Sequence, residues 1–351
     1  MYVKAWGLLL SCVCVFSSCN KKNSDSGSFN SSISKSLTER HEIIKFDDKL
    51  LVGASMKDSV FFIKQRGEQY GFIAVDLEGN QLNEFGQYGV GPNDVLDPMF
   101  VSTTNKDSSI YIEDANSRKI MQIVKDGTSF TLEKAIDYPM EIYPSSNLAF
   151  SDNYIVGRMI DYKSKDMFFI YDKDTKKKII LDNYPTVEGL TENVNYFYAS
   201  NLALNEEKKR IIAAMYFFDM AHIYDLEGNR MKTITFSDKY MPNIDKGLGV
   251  FDLSKGKTGF TGIFATNDFC YLVRSIEAPI IENNELIDFK NKDELIKMNW
   301  EGEVIDTYSI PDKKIGNVFV SDVNNKVYFI SHEIKSLEEE FYTLVSYKLP
   351  N

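Results

Sequence analysis

At 351 residues the chain is long enough for two ordinary domains or for one large all-β fold. With 43% hydrophobic and 26% charged residues it has the composition of a folded protein, not of a disordered or collagen-like one. Its 51 acidic against 40 basic residues leave a net charge of −11, which argues against a grip on a nucleic-acid backbone.

The N-terminal stretch carries an address. Lys4 precedes an apolar run from Ala5 to Phe16, followed by Ser17, Ser18 and Cys19. The run is too short to cross a bilayer, which needs about 20 residues, and it fits a signal peptide over residues 1–18. The tetrad Phe16-Ser17-Ser18-Cys19 resembles the lipobox of bacterial lipoproteins, with Phe16 where Leu is usual. That resemblance implies that Cys19 is diacylated and anchors the protein to a membrane. Of the four cysteines, Cys12 and Cys14 leave with the signal, so Cys270 has no partner for an internal disulfide, and no zinc-type Cys/His spacing exists. Residues 19–40 are then expected to be the lipidated cysteine and a Ser/Asn-rich tether with a random-coil reach of about 24 Å. Lipoproteins of this kind often carry an acidic run after the cysteine when they are exported to the cell surface. Here Lys21 and Lys22 stand there, so the expected place is the periplasmic side of the outer membrane.

From residue 41 to the end at 351 the chain repeats itself. Phe72–Asn80 reads FIAVDLEGN and Ala221–Asn229 reads AHIYDLEGN. Weaker copies are FFIYDKDT from Phe168, LIKMNWEG from Leu295, IMQIVKDG from Ile120 and YTLVSY from Tyr342. Their anchor positions, 76, 124, 172, 225, 299 and 347, are separated by 48, 48, 53, 74 and 48 residues. A second apolar strand precedes each copy, and the Asp-x-x-Gly-Asn stretches are hairpin turns in which Gly supplies φ > 0. Two strands and a turn, six times at roughly 50-residue spacing, predict an all-β, six-bladed β-propeller. The last copy ends at its third strand, so Glu42–Phe46 is expected to supply the outer strand of the last blade and close the ring.

Two segments carry a family resemblance. Ile110–Ile120, IYIEDANSRKI, resembles a blade of NHL-type propellers, and Phe85 through Pro98, with Gly86, Gly89, Gly91, Pro92 and Asp94, resembles the glycine-rich turn of TolB-like six-bladed propeller lipoproteins. That group mostly lacks an assigned activity, so the resemblance implies a fold and no reaction.

The chemistry-bearing residues point the same way. The run Gly86–Gly91 lacks Gly-Lys-Ser/Thr and a following helix, so it reads as a turn between blades and not as a phosphate loop. The three histidines, His41, His222 and His332, have no metalloprotease spacing, and there is no Gly-x-Ser-x-Gly elbow. His222 and Cys270 lie within strands and are expected to be structural. An alternative is a metal-assisted hydrolase or lyase with Ca²⁺ at the channel mouth, held by Asp161, Asp219 and Glu277, all of which follow second strands. The leading expectation is a monomeric, non-enzymatic binding module with no cofactor, whose partner is a protein or an oligosaccharide. Loops after second and fourth strands share one face, and the long ones are 184–198, 239–260 and 275–294. Tyr196, Tyr198, Tyr240 and Phe251, with Arg66, Arg118, Arg158 and Arg274, are the candidate recognition residues, since Tyr and Arg are favoured at interfaces. The alternative for those aromatics is that they pack the loops onto the blades.

Overall fold

The computed structural model describes residues 26–28, 34–46, 50–66, 69–103, 109–160, 166–182, 197–238, 241–245, 250–252, 257–282, 285–311, 315–321, 324–336 and 339–350. The signal peptide and Cys19 lie outside them. Six antiparallel meanders follow one another around a ring. Blade 1 comprises Leu50–Lys57, Val60–Arg66, Tyr70–Asp76 and Gln81–Gln87. Blade 2 comprises Met99–Phe100, Tyr111–Asp114, Lys119–Asp126 and Ser129–Asp137. Blade 3 is built from Ser145–Phe150, Tyr154–Met159, Phe168–Asp172 and Lys178–Leu181, with Ser102–Thr103 added parallel to its inner strand. Blade 4 is built from Ser200–Asn205, Arg210–Met215, Met220–Tyr224 and Arg230–Thr235. Lys257–Ala265, Phe269–Glu282, Glu285–Asn299 and Val304–Ile310 form blade 5. Ile315–Ser321, Lys326–Ser336, Glu339–Lys348 and the N-terminal Thr38–Phe46 form blade 6. The expected propeller and its closing strand are therefore both present.

The strand pattern follows from where each strand sits. Middle strands are apolar on both faces, as in Tyr70–Asp76, because each blade is sandwiched between two others. Successive side chains point to opposite faces, so Phe61 and Ile63 pack towards blade 6 while Phe62 packs towards blade 2. Six apolar clusters result, one between each pair of adjacent blades. A one-residue slip in register would exchange the two faces.

The third-to-fourth strand turns are one device repeated. Asp76 accepts hydrogen bonds at Oδ1 from the backbone of Glu78 (3.0 Å) and Asn80 (2.8 Å), while Asn80 Nδ2 donates to its Oδ2 at 2.9 Å. Asp225 and Asn229 reproduce this contact, and Asn299 takes the Asp role in blade 5. Gly79, Gly228 and Gly302 stand in these turns at φ of 87°, 85° and 77°, a region that a Cβ disfavours.

The N-terminal segment does more than close the ring. Ser26–Ser28 pairs parallel to the outer strand of blade 4, and Lys35–Ser36 pairs parallel to the outer strand of blade 5. Thr38–Phe46 then pairs antiparallel along the outer strand position of blade 6, from Thr38 opposite Lys348 to Phe46 opposite Tyr342. Parts of the segment read as a tether thus line the outer edges of three consecutive blades. Pairing along an edge uses backbone N–H and C=O groups, which a serine-rich composition leaves intact. Leu37 inserts into the core between blades 5 and 6, and Lys35 pairs with Asp306 at 2.8 Å.

A chain beginning at residue 47 should lose more than about 4 kcal/mol of stability, since it exposes an outer edge and removes the buried Phe46 and Leu37. A chain beginning at residue 34 keeps these contacts and should unfold near the full-length midpoint. Thermal and urea unfolding of the two truncations checks this.

Candidate functional site

The connections after second and fourth strands share one face, here called upper. In blades 5 and 6 the second and third strands stay paired well out on this face. In blade 5 pairing continues from Phe269 opposite Asn299 out to Glu282 opposite Glu285, past Glu277, the last partner of the inner strand among the described residues. In blade 6 pairing runs out to Ser336 opposite Glu339, past the last inner-strand pair at Ser331. Each two-stranded arm thus runs five residues, or about 17 Å, beyond the last described pair with its inner strand. The expected loop 275–294 is therefore corrected to a hairpin arm. Its missed signal is the dipeptide Asn283-Asn284 between the apolar pairs Ile280-Ile281 and Leu286-Ile287, a pattern typical of a two-residue hairpin. Of the stretch 239–260, Ile244–Asp245 pairs with Val250–Phe251, and 257–260 belongs to the inner strand of blade 5. Most of 184–198 lies outside the described residues.

The blade 5 arm is rooted in a buried ion cluster. Arg274 donates from Nε to Asp219 Oδ1 at 2.7 Å and from Nη2 to Asp219 Oδ2 at 2.6 Å. Its Nη1 reaches Glu294 Oε2 at 2.7 Å, and Lys292 reaches the other Glu294 oxygen at 2.6 Å. Asp219 has no solvent-exposed surface. Burial works against the Glu294 carboxylate, yet the hydrogen bonds from Lys292 and Arg274 outweigh it and hold its pKa below the ordinary value. Arg274, a candidate recognition residue, and Asp219, a candidate metal ligand, are thus each other's partners and join blade 4 to blade 5.

The remaining described candidates are spread over blades 1, 2, 3 and 5 and the connections beside blade 4. Arg118 is exposed at the top of blade 2, with its guanidinium 4.8 Å from the ring centre of Tyr143. Arg158 lies in blade 3 opposite Ser146. Tyr198 is buried and stacked on Phe218, with ring centres 5.1 Å apart, so packing is its role. Arg66 ends the second strand of blade 1 opposite Leu50, Phe251 pairs with Ile244, and Glu277 pairs with Lys257. Tyr196, Tyr240 and Asp161 lie outside the described residues. Among the described residues no group of three or more His, Cys, Asp or Glu is placed to hold a metal ion.

The glycine-rich turn is filled from within. The Gly91 N–H donates to Asp94 Oδ2 at 2.8 Å, and a Cβ at Gly89 or Gly91 would lie 2.4 or 2.6 Å from that carboxylate. Lys119 caps the turn by donating to the Gly91 carbonyl at 2.6 Å, and Asp114 accepts the Leu96 N–H at 2.6 Å. The anion this loop cradles is its own side chain. The two segments with family resemblance therefore lock blade 1 to blade 2.

Other titratable groups are sealed. Glu113, Tyr138 and Ser145 form a buried chain between blades 2 and 3, in which the Tyr138 hydroxyl lies 2.5 Å from both Glu113 Oε1 and Ser145 Oγ. Burial raises the Glu113 carboxyl to about 8, against the Tyr138 hydrogen bond and with the help of Asp114. His222 is buried with Nδ1 2.9 Å from Thr233 Oγ1, and burial lowers its pKa to about 3. Cys270 is fully buried, and burial pushes its thiol well up.

The inner strands of all six blades enclose a central channel of about 590 Å³. Its wall carries Asn147, Asn201, Thr261 and Asn317 from four consecutive blades, and Asp268 is the charged residue among its described lining.

The sequence pattern of the TolB-like 6-blade propeller-like family matches residues 41–323. The chain belongs to that family. A member of the DUF4221 family from Bacteroides vulgatus is similar in fold, with a TM-score of 0.54 and 14% identity over 90% of this chain and 96% of that one. A Bacteroides fragilis protein described as exported has a TM-score of 0.51 and 12% identity, over 92% of this TolB-like chain and 99% of its own. No curated protein sequence matches the chain. At such identities the likeness establishes the fold alone.

Asp219→Ala should destabilise the protein by about 3–5 kcal/mol, because it leaves the buried Arg274 without its bidentate partner. Urea unfolding measures the loss, and Arg274→Met combined with Asp219→Asn should recover part of it. Glu113 gives a pH prediction of opposite sign to an ordinary carboxylate. Its folded pKa is raised, so its contribution to stability is complete below about pH 4.5 and is lost as pH rises through about 8. Glu113→Gln keeps the acceptor for Tyr138 and removes that dependence. The variant should gain on the wild type by about 1.4 kcal/mol per pH unit over that window, read by unfolding at pH 5, 6 and 7.

Proposed function

We propose that this TolB-like propeller is a non-enzymatic, membrane-anchored binding module of the cell envelope that captures a partner protein on its upper face. The observation that carries the reading is the pair of arms on adjacent blades, Phe269–Glu282 with Glu285–Asn299 and Lys326–Ser336 with Glu339–Lys348. Over residues 278–282 and 332–336 the arms extend beyond the last inner-strand pairs among the described residues. Among the described residues the outer strands also end early, at Asp293 opposite Ile310 and at Tyr342 opposite Phe46. Each arm therefore presents backbone edges to which an extended segment of a partner can add as a strand. The bases are rigid, through the Arg274 cluster in blade 5 and through Lys45 over the Phe341 ring, 3.8 Å from its centre, in blade 6. A rigid base lowers the ordering cost of association. The lipobox-like tetrad Phe16-Ser17-Ser18-Cys19 supports the envelope location, and so does the likeness to a Bacteroides fragilis protein described as exported.

In-cell crosslinking of the lipidated protein, followed by mass spectrometry, should return a reproducible partner joined through one of the arms. Replacing residues 278–291 by a short turn should abolish that capture while leaving thermal unfolding within a few degrees, since the Arg274 cluster remains. Capture that survives the replacement of both arms overturns the face assignment. Cys19→Ser should move the protein from the membrane to the soluble fraction, and retention in the membrane would refute the anchor.

A further inference from the structure

The channel carries a second kind of chemistry, beyond partner capture by the arms. Three of its polar residues sit where an inner strand bulges. Pairing skips Asn147 between Ser146 and Ala149, Thr261 between Phe260 and Gly262, and Asn317 between Ile315 and Val318. A bulge re-aims the side chain of its extra residue, and such features collect beside binding sites. In the unbulged inner strand of blade 4, Asn201 stands opposite Ala214 and also lines the channel. Four consecutive blades thus place an amide or hydroxyl on one arc of the wall. Asn147 is exposed and holds a left-handed φ of 54°, a conformation tolerated far better by Asn than by most residues.

The unmet need on this arc is the Thr261 hydroxyl. Its oxygen is buried and has no hydrogen-bond partner among the described residues. Such an orphan is destabilising, a penalty that a ligand hydroxyl would remove. Nearby, Asn201 Nδ2 is held by the Phe260 carbonyl at 2.8 Å, which fixes its orientation. Phe100 and Phe264 contribute half-buried rings to the same channel.

We propose that the channel binds a neutral saccharide of one or two rings. Amides and hydroxyls both donate and accept, as sugar hydroxyls do, and aromatic walls suit the C–H faces of the ring. A phosphate or carboxylate ligand would require Arg or Lys, and a cation would require several carboxylates. The described lining supplies neither. The volume of about 590 Å³ lies within the range of about 300–1,000 Å³ that encloses small ligands.

The test is calorimetric titration of the mature chain with glucose, galactose, N-acetylglucosamine, maltose and cellobiose, alongside glucuronate and galacturonate. At least one neutral sugar should bind with a stoichiometry of one, and the uronates more weakly. Thr261→Val keeps the side-chain shape and removes the orphan oxygen, so it should unfold at or above the wild-type midpoint while losing at least tenfold in sugar affinity. Asn147→Gly retains access to the left-handed backbone and should show the same loss. The proposal is overturned if no neutral sugar binds at about 10 mM, if only the uronates bind, or if both variants bind as the wild type does. Replacing the arm tips should leave sugar affinity unchanged, so the failure of either reading is visible without the other.

Discussion

A blade with apolar side chains on both faces cannot stand in water alone, and this constraint organises the whole molecule. Each second and third strand must be covered twice, so six meanders have no stable arrangement short of a closed ring. Closure then falls on one place, where the last blade lacks a strand and Thr38–Phe46 supplies it. The six apolar clusters and this single backbone seam depend on one another, because an open ring would expose two apolar blade faces together.

The same constraint explains where the polar residues went. Charged groups stand towards the upper rim, and a buried charge must be paired. Arg274 with Asp219 and Glu294 fastens blade 4 to blade 5, while Asp94, Lys119 and Asp114 fasten blade 1 to blade 2. Residues that look like chemistry in a list of charges are therefore fasteners between blades. Open polar groups remain in the channel, where inner strands meet no further blade and their side chains face an enclosed space.

Much of this was legible in the chain. All six second strands and all six third strands lie where the apolar copies place them, because a hairpin repeat writes its turn residues at fixed offsets. The closing strand followed from counting strands in the last copy. The channel arc of Asn147, Asn201, Thr261 and Asn317 was not legible, since these positions precede the recognisable copies and three depend on bulges that leave no motif. Arg274 and Asp219 lie 55 residues apart, so nothing local announces their pairing.

What the sequence determined by itself was periodicity: the strand count, the turn chemistry, the blade number and the strand left over to close the ring. These are short-range matters, set by alternation along a strand and by the backbone freedom of Gly at a turn. Only the tertiary structure decided what each polar side chain does. A guanidinium or carboxylate acts through neighbours within about 3 Å, and in a ring those neighbours come from another blade. It likewise decided that a serine-rich leader lines blade edges and that 275–294 is an arm, because edge pairing is a property of the backbone and not of side-chain type.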